Sequence, residues 1–202
     1  MKALFLNCTL KGGDTTSHTE GLIRDIIPHF DALDVESEIV RIVDYNVAFG
    51  VTEDEGDGDE YYRFLSEGAN IVVIGTPLWL GEKSSVATQV IERLYGGSGL
   101  TNKSGQAIYY NKVGGVVVTG NEDGAKHACA SILYGLSHIG FTVPPNVDTY
   151  WVGEAGPGDS YLDAGRENEF TKSHGKTMAY NLVHFARMLK NHPIPAEGNT
   201  ME

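Results

Sequence analysis

Three short apolar runs limit what this chain can fold into: ALFLNC (3–8), NIVVIGTP (70–77) and VGGVVVTG (113–120). Each is continuous rather than alternating, and rich in branched residues. Such runs read as strands buried on both faces, the position of inner strands in a parallel sheet. A fourth run, VESEIVRIV (35–43), is broken by Glu36, Glu38 and Arg41, as expected of an exposed edge strand. GFTVPPNVDTYWV (140–152) can supply a fifth strand only in short pieces, because Pro144 and Pro145 cannot donate to a ladder.

Between these runs the apolar spacing becomes helical. Leu22, Ile26 and Phe30, flanked by Ile23 and Ile27, form one stripe, and Val86, Val90 and Leu94 a second. Ala128, Ile132 and Leu136 form a third, and Met178, Leu182, Phe185 and Leu189 a fourth. A weaker helix is expected over 60–67. Alternation of strand and helix predicts an α/β fold: a doubly wound sheet of five parallel strands, order 2-1-3-4-5, with helices on both faces. No repeat or linker divides the chain, so residues 1–202 are expected to form one domain, with 190–202 an extended tail, frayed or packed on a partner.

Composition narrows the partners. A net charge of −12 would repel a polyanion, so nucleic acid is not expected. No apolar run approaches the ~20 residues needed to cross a bilayer, and the N-terminus enters a strand at once, so neither membrane insertion nor a signal peptide is expected. The two cysteines, Cys8 and Cys129, lie far apart, which suits a reducing cytoplasm and excludes a C-x-x-C motif.

Polar, glycine-rich loops follow the first, third and fourth predicted strands, at the sheet edge where such folds bind ligands. The first, CTLKGGDTTSHTEGL (8–22), is longer than the ~2–6 residues a plain connection needs. It leads into a helix N-terminus, which offers free N–H groups and partial positive charge to a phosphate. Thr9, Ser17 and Thr19 add hydroxyls, Lys11 a charge and His18 a ring N–H. Ser17-x-x-Glu20 also matches a capping box, but capping leaves Lys11 and the loop length unexplained. Neither a Walker A sequence nor G-x-G-x-x-G is present, so the expected ligand end is a phosphate monoester.

LFLNCTLK, SHTEGL, TPLWLGEKSSVATQVIERL and GVVVTGNEDGAKHA together resemble the flavodoxin-like NAD(P)H-dependent FMN reductase family. The most specific pieces are Thr76-Pro77-Leu78-Trp79 with Gly81 and Ser84-Ser85, and the 119–124 loop. The resemblance implies bound FMN, with its 5′-phosphate on the first loop and its ring between Pro77, Leu78, Trp79, Leu80 and Gly81 on one side and Thr119, Gly120 and Asn121 on the other. Many relatives carry Ser-Pro-Arg and then Gly-Asn-[Ser/Thr], where this chain has Thr9-Leu10-Lys11 and Ser17-His18-Thr19. The compact cysteine cluster of the iron–sulfur branch is absent, so no cluster is expected.

The residue chemistry suits a flat, partly apolar ring. Leu78 and Trp79 offer apolar contact, and Gly81 permits close backbone approach. Lys83 is either a stabiliser of charge on a reduced ring or a solvated loop charge. Ser84 or Ser85 is expected to cap the next helix. Thr119, Gly120 and Asn121 offer hydrogen bonds to the pyrimidine end, while Glu122 and Asp123 favour the following helix N-terminus. The acidic stretch 53–60 lacks EF-hand spacing and reads as a solvated loop. GGSG (96–99) reads as a flexible turn, and Cys8 as a buried small residue. The seven histidines show no ligand spacing, so no metal site is expected. Tyr150, Trp151 and Tyr161 either pack the core or line a neighbouring subunit's site.

The expectation is therefore a cytoplasmic FMN-dependent oxidoreductase. It takes a hydride from NAD(P)H and passes electrons to a small acceptor such as a quinone or free flavin. The cofactor carries the chemistry, so no catalytic residue is assigned. The family implies a homodimer or homotetramer. The rival is a flavodoxin-type electron carrier without an NAD(P)H pocket.

Overall fold

In the computed structural model the residues described are 1–51, 68–121 and 123–201. The helix expected over 60–67, the acidic stretch 53–60 and Glu122 lie outside them. The strands are β1 (Lys2–Asn7), β2 (Glu36–Arg41), β3 (Ile71–Trp79), β4 (Glu82–Lys83), β5 (Val113–Gly120) and β6 (Asp148–Val152). The helices are α1 (His18–Asp31), α2 (Ser85–Gly96), α3 (Ala125–His138) and α4 (Glu169–Asn191).

Five strands pair in parallel in the order β2-β1-β3-β5-β6, with β4 antiparallel to the end of β3. With the two-residue β4 set aside, this is the expected 2-1-3-4-5 order, the flavodoxin-like arrangement. Alternation along each inner strand divides two cores. Leu4, Leu6, Val72, Ile74, Val116 and Val118 face α2 and α3, and meet the predicted stripes Val86-Val90-Leu94 and Ala128-Ile132-Leu136. Ala3, Phe5, Ile71, Val73 and Val117 face α1 and α4 on the other side. Fully burying one such aliphatic side chain stabilises the fold by about 1.5–3 kcal/mol.

Two expectations change. The stretch after Pro77 is not an open loop: β3 runs on through Trp79 and folds back at Leu80 and Gly81 into β4. Both turn residues have positive φ, 52° and 76°, as a two-residue type I′ hairpin requires. The tail after Lys190 is tied to this chain's own fold. Buried Gln106 donates from Nε2 to the carbonyls of Ile194 and Pro195, both at 3.2 Å, and to Asn199 Oδ1 at 3.0 Å. The Ile194 N–H donates to Asn111 Oδ1 at 2.7 Å.

Candidate functional site

The carboxyl ends of β1, β3 and β5 meet the N-terminus of α1 at close range, and Gly75 makes this possible. A Cβ on Gly75 would lie 2.7 Å from Ile23 Cδ1 and 3.1 Å from Thr19 Cγ2. Because α1 can approach so closely, Thr19 Oγ1 reaches Thr119 Oγ1 at 2.8 Å.

Arg41, at the end of β2, braces the loop between β1 and α1. Its guanidinium donates to the carbonyls of Gly13 and of Thr15, the latter at 2.9 Å, and to Glu20 Oε2 at 2.7 Å. Burial works against the Glu20 carboxylate, but hydrogen bonds from Arg41 and Arg24 outweigh it and hold the carboxyl below its ordinary range. Asp44 Oδ1 accepts from the Gly13 N–H at 2.7 Å, and Lys11 Nζ donates to the Thr16 carbonyl at 3.2 Å. Sequence alone places Arg41 only on an edge strand. The signal available was the register: Arg41 pairs with Asn7, where the loop begins.

Ser17 is engaged as a helix cap, the alternative its spacing to Glu20 allows. Its Oγ accepts the Glu20 N–H at 3.1 Å as the N-cap of α1 and sits 3.4 Å from Asn7 Nδ2, away from the cavity wall. The reciprocal half of a capping box is not formed, since the Glu20 carboxylate is taken by Arg41, Arg24 and Asn7.

A cavity of about 390 Å³ opens over this edge, within the ~300–1,000 Å³ range of small-molecule sites. Thr9, Lys11, His18 and Thr19 line one part of it. Pro77, Leu78 and Trp79 line another, with Thr119, Gly120 and Asn121 beside them. Leu78 is buried, while Trp79 is 54% exposed. Leu80 and Gly81 form the hairpin tip outside the lining, and Leu80 is 92% exposed. Lys83 also turns away, donating to Ser131 Oγ at 2.8 Å on α3. Ser84 caps α2 by accepting the Ala87 N–H and ties it to β1 by donating to the Cys8 carbonyl at 2.8 Å.

The remaining wall, Trp151, Gly156, Gly158, Ser160 and Tyr161, was largely unforeseen. Trp151 and Tyr161 line this chain's own cavity, edge to face with centroids 6.0 Å apart. Tyr150 packs instead against Phe170. The Tyr161 hydroxyl donates to Asp25 Oδ2 at 2.9 Å. Burial and then Asp25 push its pKa well above the usual phenol value.

His18 Nδ1 accepts the Leu162 N–H at 3.2 Å, which leaves the proton of the neutral ring on Nε2. Burial and then Lys11 hold its pKa below the ordinary value, against an opposing pull from Asp163. No carboxylate stands among the described lining residues, although the chain's net charge is −12. Lys11, the His18 Nε2–H, two threonine hydroxyls and the first-turn N–H groups of α1 suit a phosphate, and the Leu78–Trp79–Trp151 surface suits a flat apolar ring. A flavin mononucleotide fits this donor set. Both cysteines are buried, and among the described residues no His, Cys, Asp and Glu cluster could hold a metal.

Residues 1–155 match the family model described as NADPH-dependent FMN reductase. The chain belongs to this flavoprotein family. It is 35% identical over 209 residues to the 8-demethyl-8-aminoriboflavin-5′-phosphate synthase of Streptomyces davaonensis, covering 98% of this chain and 81% of that protein. It is 46% identical over 200 residues to the divalent metal cation transporter MntH of Mycobacterium bovis; the match takes in 94% of this chain but only 29% of that protein's length. Among the described residues no helix is long and apolar enough to cross a membrane. Among solved structures, RosB with the bound intermediate 8-demethyl-8-formylriboflavin-5′-phosphate superposes with a TM-score of 0.87 at 34% identity, covering 96% of this chain and 82% of that one. This family member shares the flavodoxin-like sheet. The cavity wall from Gly156 to Tyr161 lies beyond the family-matched residues.

Proposed function

We propose that this protein binds FMN in the cavity and uses it as an NAD(P)H-dependent oxidoreductase, passing electrons to a small acceptor such as a quinone or free flavin. The carrying observation is the cavity wall: basic and hydroxyl donors but no described carboxylate at the α1 end, and the Leu78–Trp79 surface at the other. Bound FMN supplies the hydride-accepting chemistry. Lys11, the His18 Nε2–H, Thr9, Thr19 and the α1 N-terminus hold the phosphate, Leu78 and Trp79 support the ring, and Thr119, Gly120 and the Asn121 backbone border its polar edge. No general acid or base is needed, and the Tyr161 hydroxyl is committed to Asp25. Lys11 is the single lysine or arginine of the described lining, so no separate site for a 2′-phosphate is marked, and NADH and NADPH are both expected to serve. We place the protein in the cytoplasm as a homodimer or homotetramer.

Anaerobic mixing of the FMN-loaded protein with NADPH or NADH tests this. Rapid bleaching of the flavin band, reversed by a quinone, is expected. Reduction by dithionite but by neither nucleotide would instead support a flavodoxin-type carrier.

A second reading rests on the relative from Streptomyces davaonensis and on RosB, whose bound intermediate is itself a flavin 5′-phosphate. In that reading the same cavity holds FMN as a reactant. The mass of the flavin recovered after aerobic incubation with an amine donor decides between them: unchanged FMN supports the oxidoreductase, and a modified flavin the reactant role.

A further inference from the structure

Residues 156–161 close one side of the cavity, yet they hang from the sheet by few attachments. Their far end is well held. The Leu162 N–H donates to His18 Nδ1, and Tyr161 and Arg166 both donate to Asp25 Oδ2, at 2.9 and 3.0 Å. Upstream, the Gly153 N–H donates to the Gly120 carbonyl at 2.8 Å. Between these anchors the glycine-rich stretch 154–159 has one described hydrogen-bonded tie to the rest of the fold. Asn121 Nδ2 donates to the Asp159 carbonyl at 2.8 Å and to the Gly158 carbonyl at 3.4 Å. Two carbonyl acceptors fix the amide orientation, since a flipped amide would set oxygen against oxygen.

We propose that Asn121 is a positioning residue: its side chain latches the 154–159 segment across the cavity, and this segment is the wall that retains the bound ligand. Sequence alone suggests a ring contact for Asn121, but its side-chain amide nitrogen is turned to the segment. The stretch has little else to order it. Gly156 has φ +106°, a region that favours glycine, and residues 154–159 are exposed. Its carbonyls are held where Gly156 and Gly158 face a ligand lying between His18 and Trp79. The retained ligand is taken to be FMN, so that half of the inference rests on the function proposed above.

Hydrogen exchange of ligand-free wild-type, Asn121→Ala and Asn121→Asp proteins tests the latch without any flavin. Exchange of the hydrogen-bonded Gly153 and Gly158 amides is expected to speed up about tenfold in both variants, the effect of one net hydrogen bond, while peptides from β1, β3 and β5 stay unchanged. Unchanged exchange at these two amides overturns the latch. So does acceleration spread over the whole sheet, which would mean general destabilisation. FMN release, followed by recovery of flavin fluorescence, is expected to be about tenfold faster in both variants, with the melting temperature lowered by only about 2–4 °C. Faster exchange with unaltered release overturns the retaining wall. If the wild-type protein takes up no FMN, the flavin reading fails, and the exchange comparison still decides the latch.

Discussion

The hydroxyls of Thr19 and Thr119, one hundred residues apart in sequence, lie 2.8 Å from one another and join the first turn of α1 to the end of β5. Both residues are nearly fully buried and both line the cavity. Valine keeps the shape and removes the hydroxyl, so Thr19→Val leaves Thr119 without its partner. Each single variant is expected to lose about 1–3 kcal/mol of stability. The double variant should lose less than the sum, by about 0.5–3 kcal/mol. Urea unfolding of the four proteins measures this; strict additivity would show that the contact carries no coupling.

Ser17 and Thr19 should now separate. Ser17→Ala removes the N-cap and is expected to cost about 1 kcal/mol of stability while leaving the FMN dissociation constant nearly unchanged. Thr19→Val should weaken FMN about tenfold, the effect of one hydrogen bond to a charged group. Fluorescence titration distinguishes them. Equal weakening by both would return Ser17 to the phosphate.

The Arg41–Glu20 pair predicts how stability depends on pH. The folded-state pKa of Glu20 is depressed, so its contribution is present above the unfolded carboxyl value and is lost as pH falls through the folded one. Arg41→Gln removes both that contribution and the brace on the Gly13 and Thr15 carbonyls. The variant is expected to lose about 1–3 kcal/mol at pH 7, and the difference from wild type should shrink at acid pH as Glu20 becomes protonated. A difference that stays constant from pH 7 down to about 3 would rule out the ion pair as its source.

What the sequence revealed and what it hid follow from the physics of each part. β1, β3 and β5 are buried on both faces, so their apolar content had to be continuous and was legible. The four helical stripes were legible because each helix buries one face, so its apolar residues recur at helical spacing. The ligand loop could be found from its excess length, but Ser17 was ambiguous because a helix cap and a phosphate donor draw on the same residue types at the same helix end. Arg41 was missed because its partners, Gly13 and Thr15, lie 28 and 26 residues away in sequence, and no local pattern announces such a tether. The wall at 156–161 was missed because a glycine-rich stretch has no periodicity and owes its place to Asn121 and to α1. The hairpin at 80–81 was hidden by Leu80, which breaks the turn rule that Asn or Gly would have advertised.

Gln106 predicts the behaviour of the tail. Its buried amide is the main attachment for residues 194–199. Gln106→Ala is expected to speed proteolysis of the tail after Glu197 by a glutamate-specific protease, with a stability loss of about 1–2 kcal/mol. Unaltered cleavage would mean that Asn111 and the remaining contacts hold the tail unaided.

Leu80 breaks a local rule without any packing in return. It sits at φ 52° in the hairpin turn and is 92% exposed. A non-glycine residue held there costs about 1–3 kcal/mol, and an exposed side chain recovers almost none of that. Asn followed by Gly is the favoured pair for this turn, and Asn tolerates positive φ without adding backbone freedom to the unfolded chain. Leu80→Asn is therefore expected to stabilise the protein by about 0.5–1 kcal/mol, raising the melting temperature by roughly 1–4 °C. A residue that keeps strain at the rim of a binding cavity is a candidate for function, since local rules give way most often at such sites. Leu80 and half-exposed Trp79 together present an apolar edge beside the cavity mouth. The stabilised variant should show a raised KM for an apolar quinone, with the rate of flavin bleaching by NAD(P)H little changed. If the melting temperature rises and the quinone KM does not move, the strain has no part in binding the acceptor.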